Sequence, residues 1–464
     1  MAKRLRAFPR YWPSICKASE AGVSRPRRHF SSSMSCGIDG VYSELTAMRT
    51  QIPFIEALKA QSAEKDGKLA VKHVPIQDQI DSSPKTMSQS YHKVVLPLAH
   101  DPWLLDSYIN SSGHIRLGTI FMDLDAMAGV ISFKHSGDNL MNVTAAVDRI
   151  TLKRPLTAIC DLELSGKVTF ATGRSSMELS LQVAKAPEEG KTVQDEDILM
   201  TCAFTMVSLD PVTKKAVNIS PLKIENAEEQ RLFDQGKKNY AAKKELAKAT
   251  LRKNTPNDEE SDLIHALWLR QLDYHDPNTP TRKPANAMYM EATKIQSVQI
   301  MQPQYRNRSN FNIFGGFLLR TTFELAFTCA SAMSHTRPTF VALDPSTFEN
   351  PVTVGSVLYL TAQVVYTDSP VVDSGDPKAS AEGSTRIQIR VDSKIRNVEH
   401  GETKPTGVFN YTFEVKKDIK VIPESYSQFI MYLDARRRAL NTIQSIESPN
   451  VGDGSGGSTA GVLS

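Results

Sequence analysis

An α+β fold built twice over is what this 464-residue sequence predicts, and three observations predict it. Two regions each set one helix-like run among several strand-like runs. Both helical runs open on glycine, Gly118-Thr-Ile-Phe-Met-Asp-Leu-Asp125-Ala-Met-Ala in the first and Gly315-Gly316-Phe-Leu-Leu-Arg-Thr-Thr-Phe-Glu324-Leu-Ala in the second, with Gly118 and Gly316 offset by 198 residues. Past each helix, Asp148-Arg-Ile-Thr151-Leu-Lys-Arg-Pro155 is matched by Asp344-Pro-Ser-Thr347-Phe-Glu-Asn-Pro351, with Asp, Thr and Pro at identical spacing and an offset of 196. One helix followed by long antiparallel-looking strands is an α+β pattern, not βαβ.

In chain order, residues 1–37 read as a leader, and a polar stretch runs from there to about 88. Residues 88–215 form the first domain. Its strands include an alternating run carried by Leu162, Leu164, Val168 and Phe170, and it closes on Leu199 to Val207. Residues 216–285 are a helical, charged linker, in which Asn226 to Lys253 predicts a helix packing Leu232, Phe233, Tyr240 and Leu246 on a domain. Residues 286–435 form the second domain, with the alternating run Val357 to Val365 and a closing strand Val408 to Val415. The Gly/Ser-rich end, 448–464, reads as a disordered tail. A long antiparallel sheet wrapped around one central helix is the hotdog architecture, so the expectation is two hotdog domains in tandem.

Composition and charge narrow the function. The chain is 40% hydrophobic and 23% charged, ordinary for a globular protein. No stretch reaches the roughly 18–20 apolar residues of a membrane span. The net charge of +4 lies in the leader: residues 1–36 hold eight Lys and Arg against the single acid Glu20, and the rest of the chain is net −3. A nucleic-acid partner therefore has no electrostatic support. The Arg- and Ser-rich, acid-poor leader has the composition of a mitochondrial transit peptide, and Arg28-His29-Phe30-Ser31-Ser32-Ser33 resembles the processing pattern Arg-x-Phe-x-x-Ser. The expected address is the mitochondrial matrix. Cys16, Cys36, Cys160, Cys202 and Cys329 have no ligand spacing, so no metal site is expected.

Candidate chemistry concentrates on the two helices. Ile120, Phe121, Leu124, Met127, Ala128 and Ile131 share a face in the first, with Asp123 and Asp125 at opposite edges. A half-buried carboxylate there, with a raised pKa, is a candidate general base. Periodicity does not choose between the two aspartates, and solvated charges near a helix N-terminus are the plainer alternative. In the second helix Glu324 is the only acid, and Arg320 four residues before it predicts an ion pair. Gly315 and Gly316 at a helix start leave backbone N–H groups suited to a developing oxyanion; a plain turn with Asn310 or Asn312 as N-cap is the alternative. There is no GxxxxGK[ST], GxSxG or HExxH.

Three segments carry a family resemblance. Asn310-Phe-Asn-Ile-Phe-Gly-Gly-Phe-Leu-Leu-Arg-Thr-Thr-Phe-Glu-Leu-Ala-Phe, Ser334-His-Thr-Arg-Pro-Thr-Phe and Leu343-Asp-Pro-Ser-Thr-Phe-Glu-Asn-Pro-Val-Thr-Val-Gly-Ser-Val-Leu-Tyr-Leu resemble the mitochondrial acyl-coenzyme A thioesterase 9 type, particularly its fungal members. Gly113-His-Ile-Arg-Leu-Gly-Thr-Ile-Phe-Met-Asp-Leu-Asp-Ala-Met-Ala-Gly is similar to that family's first-domain helix, and the likeness covers about residues 88–435. It implies tandem hotdog domains, thioester hydrolysis without a metal or redox cofactor, an acyl-CoA substrate, and a homo-oligomer, a trimer of fused hotdog pairs. It also implies one site shared between an Asn before one helix and an Asp within the other. Asp125, seven residues past Gly118, matches the Asp, and Asn310 matches the Asn. Gly315, Gly316 and Gly118 become the oxyanion- or CoA-contacting glycines, and Glu324 a secondary candidate. The chain departs from the family in carrying Phe314 where the usual His precedes Gly-Gly, in placing Asn310 one residue further from the glycines, and in carrying Phe323 where a second Asp would stand.

The expected activity is hydrolysis of fatty acyl-CoA to free fatty acid and CoA. The rivals are a catalytically silent acyl-CoA-binding or scaffold protein and a hotdog dehydratase or hydratase; the latter wants a His–Asp pair, and no histidine sits suitably on either helix.

Overall fold

The computed structural model of the chain describes residue 45 and residues 52–65, 82–154, 158–188, 190–248, 251, 254–308, 311–373, 375–378 and 380–447. The expected leader, the C-terminal tail and Asn310 lie outside the described residues.

The first repeat contributes β1 (His92–Leu96), α1 (Leu117–Ser136), β2 (Met141–Val147), β3 (Ile150–Leu152), β4 (Leu162–Ala171), β5 (Ser176–Lys185) and β6 (Ile198–Leu209). Two helices follow, α2 (Ala227–Lys248) and α3 (Asp258–His275). The second contributes β7 (Ile295–Ile300), α4 (Gly315–Ser334), β8 (Thr339–Leu343), β9 (Ser346–Thr347), β10 (Val357–Thr367), β11 (Thr385–Arg396), β12 (Thr403–Val415) and the closing helix α5 (Tyr426–Glu447). All twelve strands join one antiparallel sheet, in the order β7-β10-β11-β12-β8-β3-β6-β5-β4-β1, with β2 between β6 and β9.

Where the repeats meet, the sheet is two-fold. Ile150 pairs with Leu343 and Ser346 with Val147; Thr151 pairs with Ala342 and Thr347 with Ala146. Adding 196 to either first-repeat residue gives the partner's counterpart, so the Asp–Thr–Pro offset read from the sequence is the register of this seam. Each half also anchors a strand through one hydroxyl: Ser90 Oγ accepts from Val168 N at 3.0 Å and Thr293 Oγ1 from Val364 N at 3.1 Å.

Each sheet half wraps its own helix. α1 buries every residue from Gly118 to Asp125, apolar and polar alike, because sheet lies on one side of it and α4 on the other. A helix enclosed on all sides has no solvated edge. Asp123 and Asp125 are therefore core residues, 0% and 4% exposed, and the solvated-charge alternative does not hold. Gly166 on β4 lets the helix approach: a Cβ there would lie 3.0 Å from Ile131 Cδ1 and 2.3 Å from Leu181 Cδ2.

α2 lies on the outer face of the first repeat. Phe233 packs tilted against Phe170 at 5.0 Å between ring centroids, Tyr240 lies at 6.2 Å from the same ring, and Gly236 leaves room for Phe170, 2.5 Å from where its Cβ would stand. Leu232 is half-buried on the same helix, and the Leu246 side chain is outside the described residues. Lys243 reaches the seam aspartate Asp148 at 3.0 Å and Glu178 at 3.2 Å. α5 does the same for the second repeat, with Arg438 at 3.6 Å from the seam aspartate Asp344 and Thr442 hydrogen-bonded to it. Burial pushes both aspartates up in pKa, with Lys243 pulling Asp148 down and Arg438 and Arg149 pulling Asp344 down. α2 and α5 are each 22 residues long and start 199 residues apart, so the repeat extends through them.

Candidate active site

The site forms where the start of α4 meets the middle of α1. Phe314, in extended backbone, precedes the helix, and Gly315 and Gly316 are its first residues. A Cβ on Gly316 would fall 2.7 Å from the Met122 carbonyl oxygen and 2.9 Å from Asp125 Cβ, so the glycine is what lets the two helices touch. That contact puts the Gly316 N–H 2.6 Å from Asp125 Oδ2. Thr144 on β2 donates its hydroxyl to Asp125 Oδ1 at 2.7 Å. The carboxylate thus accepts on both oxygens, from donors on two different elements.

Asp125 lines a cavity of about 560 Å³, within the ordinary size of small-molecule sites. The α1 residues Ala126, Gly129, Val130 and Phe133 form one wall; Gly315 and Leu318 of α4 contribute opposite. Asn307, Arg308 and Asn312, from the segment leading into α4, also line it. Gly315 opens on this cavity at the first turn, where helix N–H groups have no intrahelical acceptor.

The sequence-stated candidates separate clearly in space. Asp125, Gly315 and Gly316 come together. The Gly316 N–H, expected to face a substrate carbonyl, is directed at Asp125. Gly118 is buried against Phe323, whose Cδ1 lies 3.2 Å from where a Cβ would be, and it is not among the cavity residues. Glu324 is 36% exposed and forms the expected pair with Arg320 at 3.4 Å, but a closer one with Arg116 of the other repeat at 2.5 Å. Asp123 accepts from the buried Tyr108 hydroxyl and is not among the cavity residues, whereas Asp125 is. Asn310 lies outside the described residues; Arg308 and Asn312, on either side of it, line the cavity.

Thr144 is the site residue that the sequence reading missed. It stands in a short strand without a motif, and it reaches Asp125 past an irregularity in the β2–β6 register between Thr144 and Ala146. Among the described residues, burial pushes the Cys329 thiol up to about 12, and raises Cys202 and Cys160 as well. Among the described residues no group of three or more His, Cys, Asp or Glu could hold a metal ion, and no helix is long and apolar enough to cross a membrane.

The chain has well-matched relatives. It is 34% identical over 363 residues to the mouse protein "Acyl-coenzyme A thioesterase 9, mitochondrial", covering 76% of this chain and 78% of that one. The human protein of the same name is 34% identical over 364 residues, again covering 76% and 78%. A chloroplastic acyl-coenzyme A thioesterase 2 of Humulus lupulus is 32% identical over 348 residues, covering 74% and 76%. No family model matches. Among solved structures, an apo-hexameric acyl-CoA thioesterase is 25% identical with a TM-score of 0.31, covering 36% of this chain and 99% of that one.

Proposed function

The chain belongs to the mitochondrial acyl-coenzyme A thioesterase 9 family, and we propose from that premise that it hydrolyses fatty acyl-CoA to free fatty acid and CoA at a single site centred on Asp125. The observation that carries the placement is the Asp125 carboxylate, buried at the edge of a large, mostly apolar cavity and fixed by Gly316 N–H and Thr144 Oγ1.

In this reading the thioester carbonyl lies in the cavity beside Asp125. The Asp125 carboxylate takes a proton from water as that water attacks the carbonyl carbon, or attacks the carbon itself to give an acyl-enzyme anhydride that water then opens. The C–S bond breaks as the tetrahedral centre collapses, CoA leaves as its thiolate and is protonated, and the fatty acid remains. Thr144 and Gly316 orient the base. The Gly315 N–H and the Asn310 amide stabilise the oxyanion, a task at which one well-aimed donor is worth roughly 10²–10³ in kcat. Side chains, backbone and water supply the chemistry, without a metal or redox cofactor.

The architecture supports a tandem hotdog reading, with domains at about 88–215 and 286–435 and each repeat closed by its own helix. The relatives are named mitochondrial, and the leader's composition agrees; delivery to the matrix and assembly into a trimer of fused pairs are the finer parts of the proposal. A reporter fused behind residues 1–40 tests the first, and mass measurement in solution tests the second.

The deciding assay is CoA release from a panel of acyl-CoAs. Wild type turns over, Asp125→Asn loses roughly 10²–10⁴ in kcat while still binding acyl-CoA, and Asn310→Ala loses about 10². Near-normal turnover by Asp125→Asn refutes the placement.

A further inference from the structure

Along α1 the residues Ala126, Gly129, Val130 and Phe133 are spaced i, i+3, i+4 and i+7, and each is only half-buried. An apolar stripe at that spacing ordinarily packs against other protein. Here it forms a wall of the cavity that begins at Asp125. A glycine inside a helix is less favourable than alanine, and a Cβ built on Gly129 meets nothing within 4 Å. No neighbouring atom requires that glycine. What it provides is open width, one turn and about 6 Å along the helix from Asp125.

Phe133 follows one turn later, about 12 Å from Asp125 along the axis. The Arg308 guanidinium lies over its ring, 4.3 Å from the centroid, and is held there by Asp138 at 3.0 Å. Beyond this pair lies a separate, smaller cavity of about 280 Å³ with the polar residues Asp138, Asn139 and Lys214 in its wall. Phe133 and Arg308 border both cavities, together with Met141, Asn142, Lys214 and Asn307.

We propose that the α1 stripe is the wall on which the substrate's acyl chain lies, that Gly129 sets the width of the channel, and that Phe133 under Arg308 sets its length. This rests on Asp125 being the reaction centre. Two moieties leave a thioester, and the wall chooses between them. Every methylene of an acyl chain gains by contact with apolar surface. The amides of the pantetheine arm would leave their hydrogen bonds unmade against Gly129, Val130 and Phe133, at a cost comparable to a lost hydrogen bond each.

The test measures kcat/KM for a series from acetyl-CoA to long saturated acyl-CoAs in the full-length wild type, Gly129→Leu and Phe133→Ala. In parallel, calorimetry measures binding of non-hydrolysable thioether analogues of a short and a long acyl-CoA. Gly129→Leu, which improves helix propensity, should lower the ratio of long-chain to acetyl kcat/KM by roughly 10- to 200-fold, the range by which a pocket discriminates small changes in apolar bulk. Phe133→Ala should shift the preference to longer chains. Both variants should shift the long analogue's affinity in the same directions. Equal losses at every chain length in Gly129→Leu, or weakened binding of CoA itself, would overturn the proposal and give the stripe to the CoA arm. If the analogues show the length effect while wild type releases no CoA, the channel stands and the hydrolase reading falls.

Discussion

The two places where one repeat's helix start meets the other repeat's helix are related by the pseudo-two-fold, and they have been built in opposite ways. At the first, Gly316 sits against Asp125, Thr144 closes the carboxylate from the sheet, and a cavity opens alongside. At the second, 198 residues away in each case, Gly118 sits against Phe323, and the residue 196 on from Thr144 is Phe340. Phe323 is the hub of an aromatic cluster, with ring centroids at 5.2 Å from Phe121, 5.6 Å from Phe340, 5.7 Å from Tyr411 and 5.8 Å from Phe413. One junction retains a carboxylate, its two donors and empty space. The other keeps its glycine but carries packed rings, Phe323 and Phe340, in place of the carboxylate and the hydroxyl donor. The two frames match in their glycines and differ at two side-chain positions, Asp125 against Phe323 and Thr144 against Phe340, and the proposed function gives the chemistry to the first while the second packs the repeats together.

Substitutions at paired positions should therefore have unlike effects. The largest on folding is Phe323→Ala, which empties the aromatic junction and should cost about 3–5 kcal/mol in urea or thermal unfolding. The surviving folded enzyme should keep a kcat near wild type. A kcat loss as large as that of Asp125→Asn would show that the second junction takes part in catalysis.

The glycines sharpen the comparison at an intermediate scale. Gly316→Ala drives a methyl to 2.7 Å from backbone, which cannot yield, and should cost about 1–3 kcal/mol of stability together with a clear drop in kcat as Asp125 is displaced. Gly118→Ala meets a ring edge at 3.2 Å, with its other neighbours at ordinary contact distance, and gains helix propensity, so the two terms of about 0.5–1 kcal/mol nearly offset. Its kcat should not change. Equal effects from the two alanines would mean that the junctions are alike after all.

The smallest effect belongs to Glu324, the only acid of α4. Its pairs with Arg116 and Arg320 are partly exposed, so Glu324→Gln should change stability by about 1 kcal/mol or less and leave acyl-CoA turnover intact. A dead Glu324→Gln enzyme would move the base to the second repeat.

Much of this was legible in the sequence because it rests on spacing. The glycine-led helices, the Asp–Thr–Pro offset that became the seam register, and the Phe323-for-Asp exchange all lie in local strings. Asp125 itself was reached by its distance from Gly118, whereas its distinction from Asp123 depended on the Tyr108 hydroxyl, which only the folded chain brings near. Thr144 was illegible because a threonine in a strand carries no mark of what it faces. The equivalence of α2 and α5 was hidden too, since the same task of reaching a seam aspartate falls to Lys243 in one and Arg438 in the other. The expected packing of the 226–253 helix is seen at Phe233 and Tyr240 of α2, which meet Phe170 of the first repeat.

The central claim is that each chain has one working junction, and calorimetric titration of the full-length protein with a non-hydrolysable acyl-CoA thioether counts it. The account predicts one analogue bound per chain, still one in Asp125→Asn, and still one in Phe323→Ala. Two equivalent sites per chain in the wild type would contradict it.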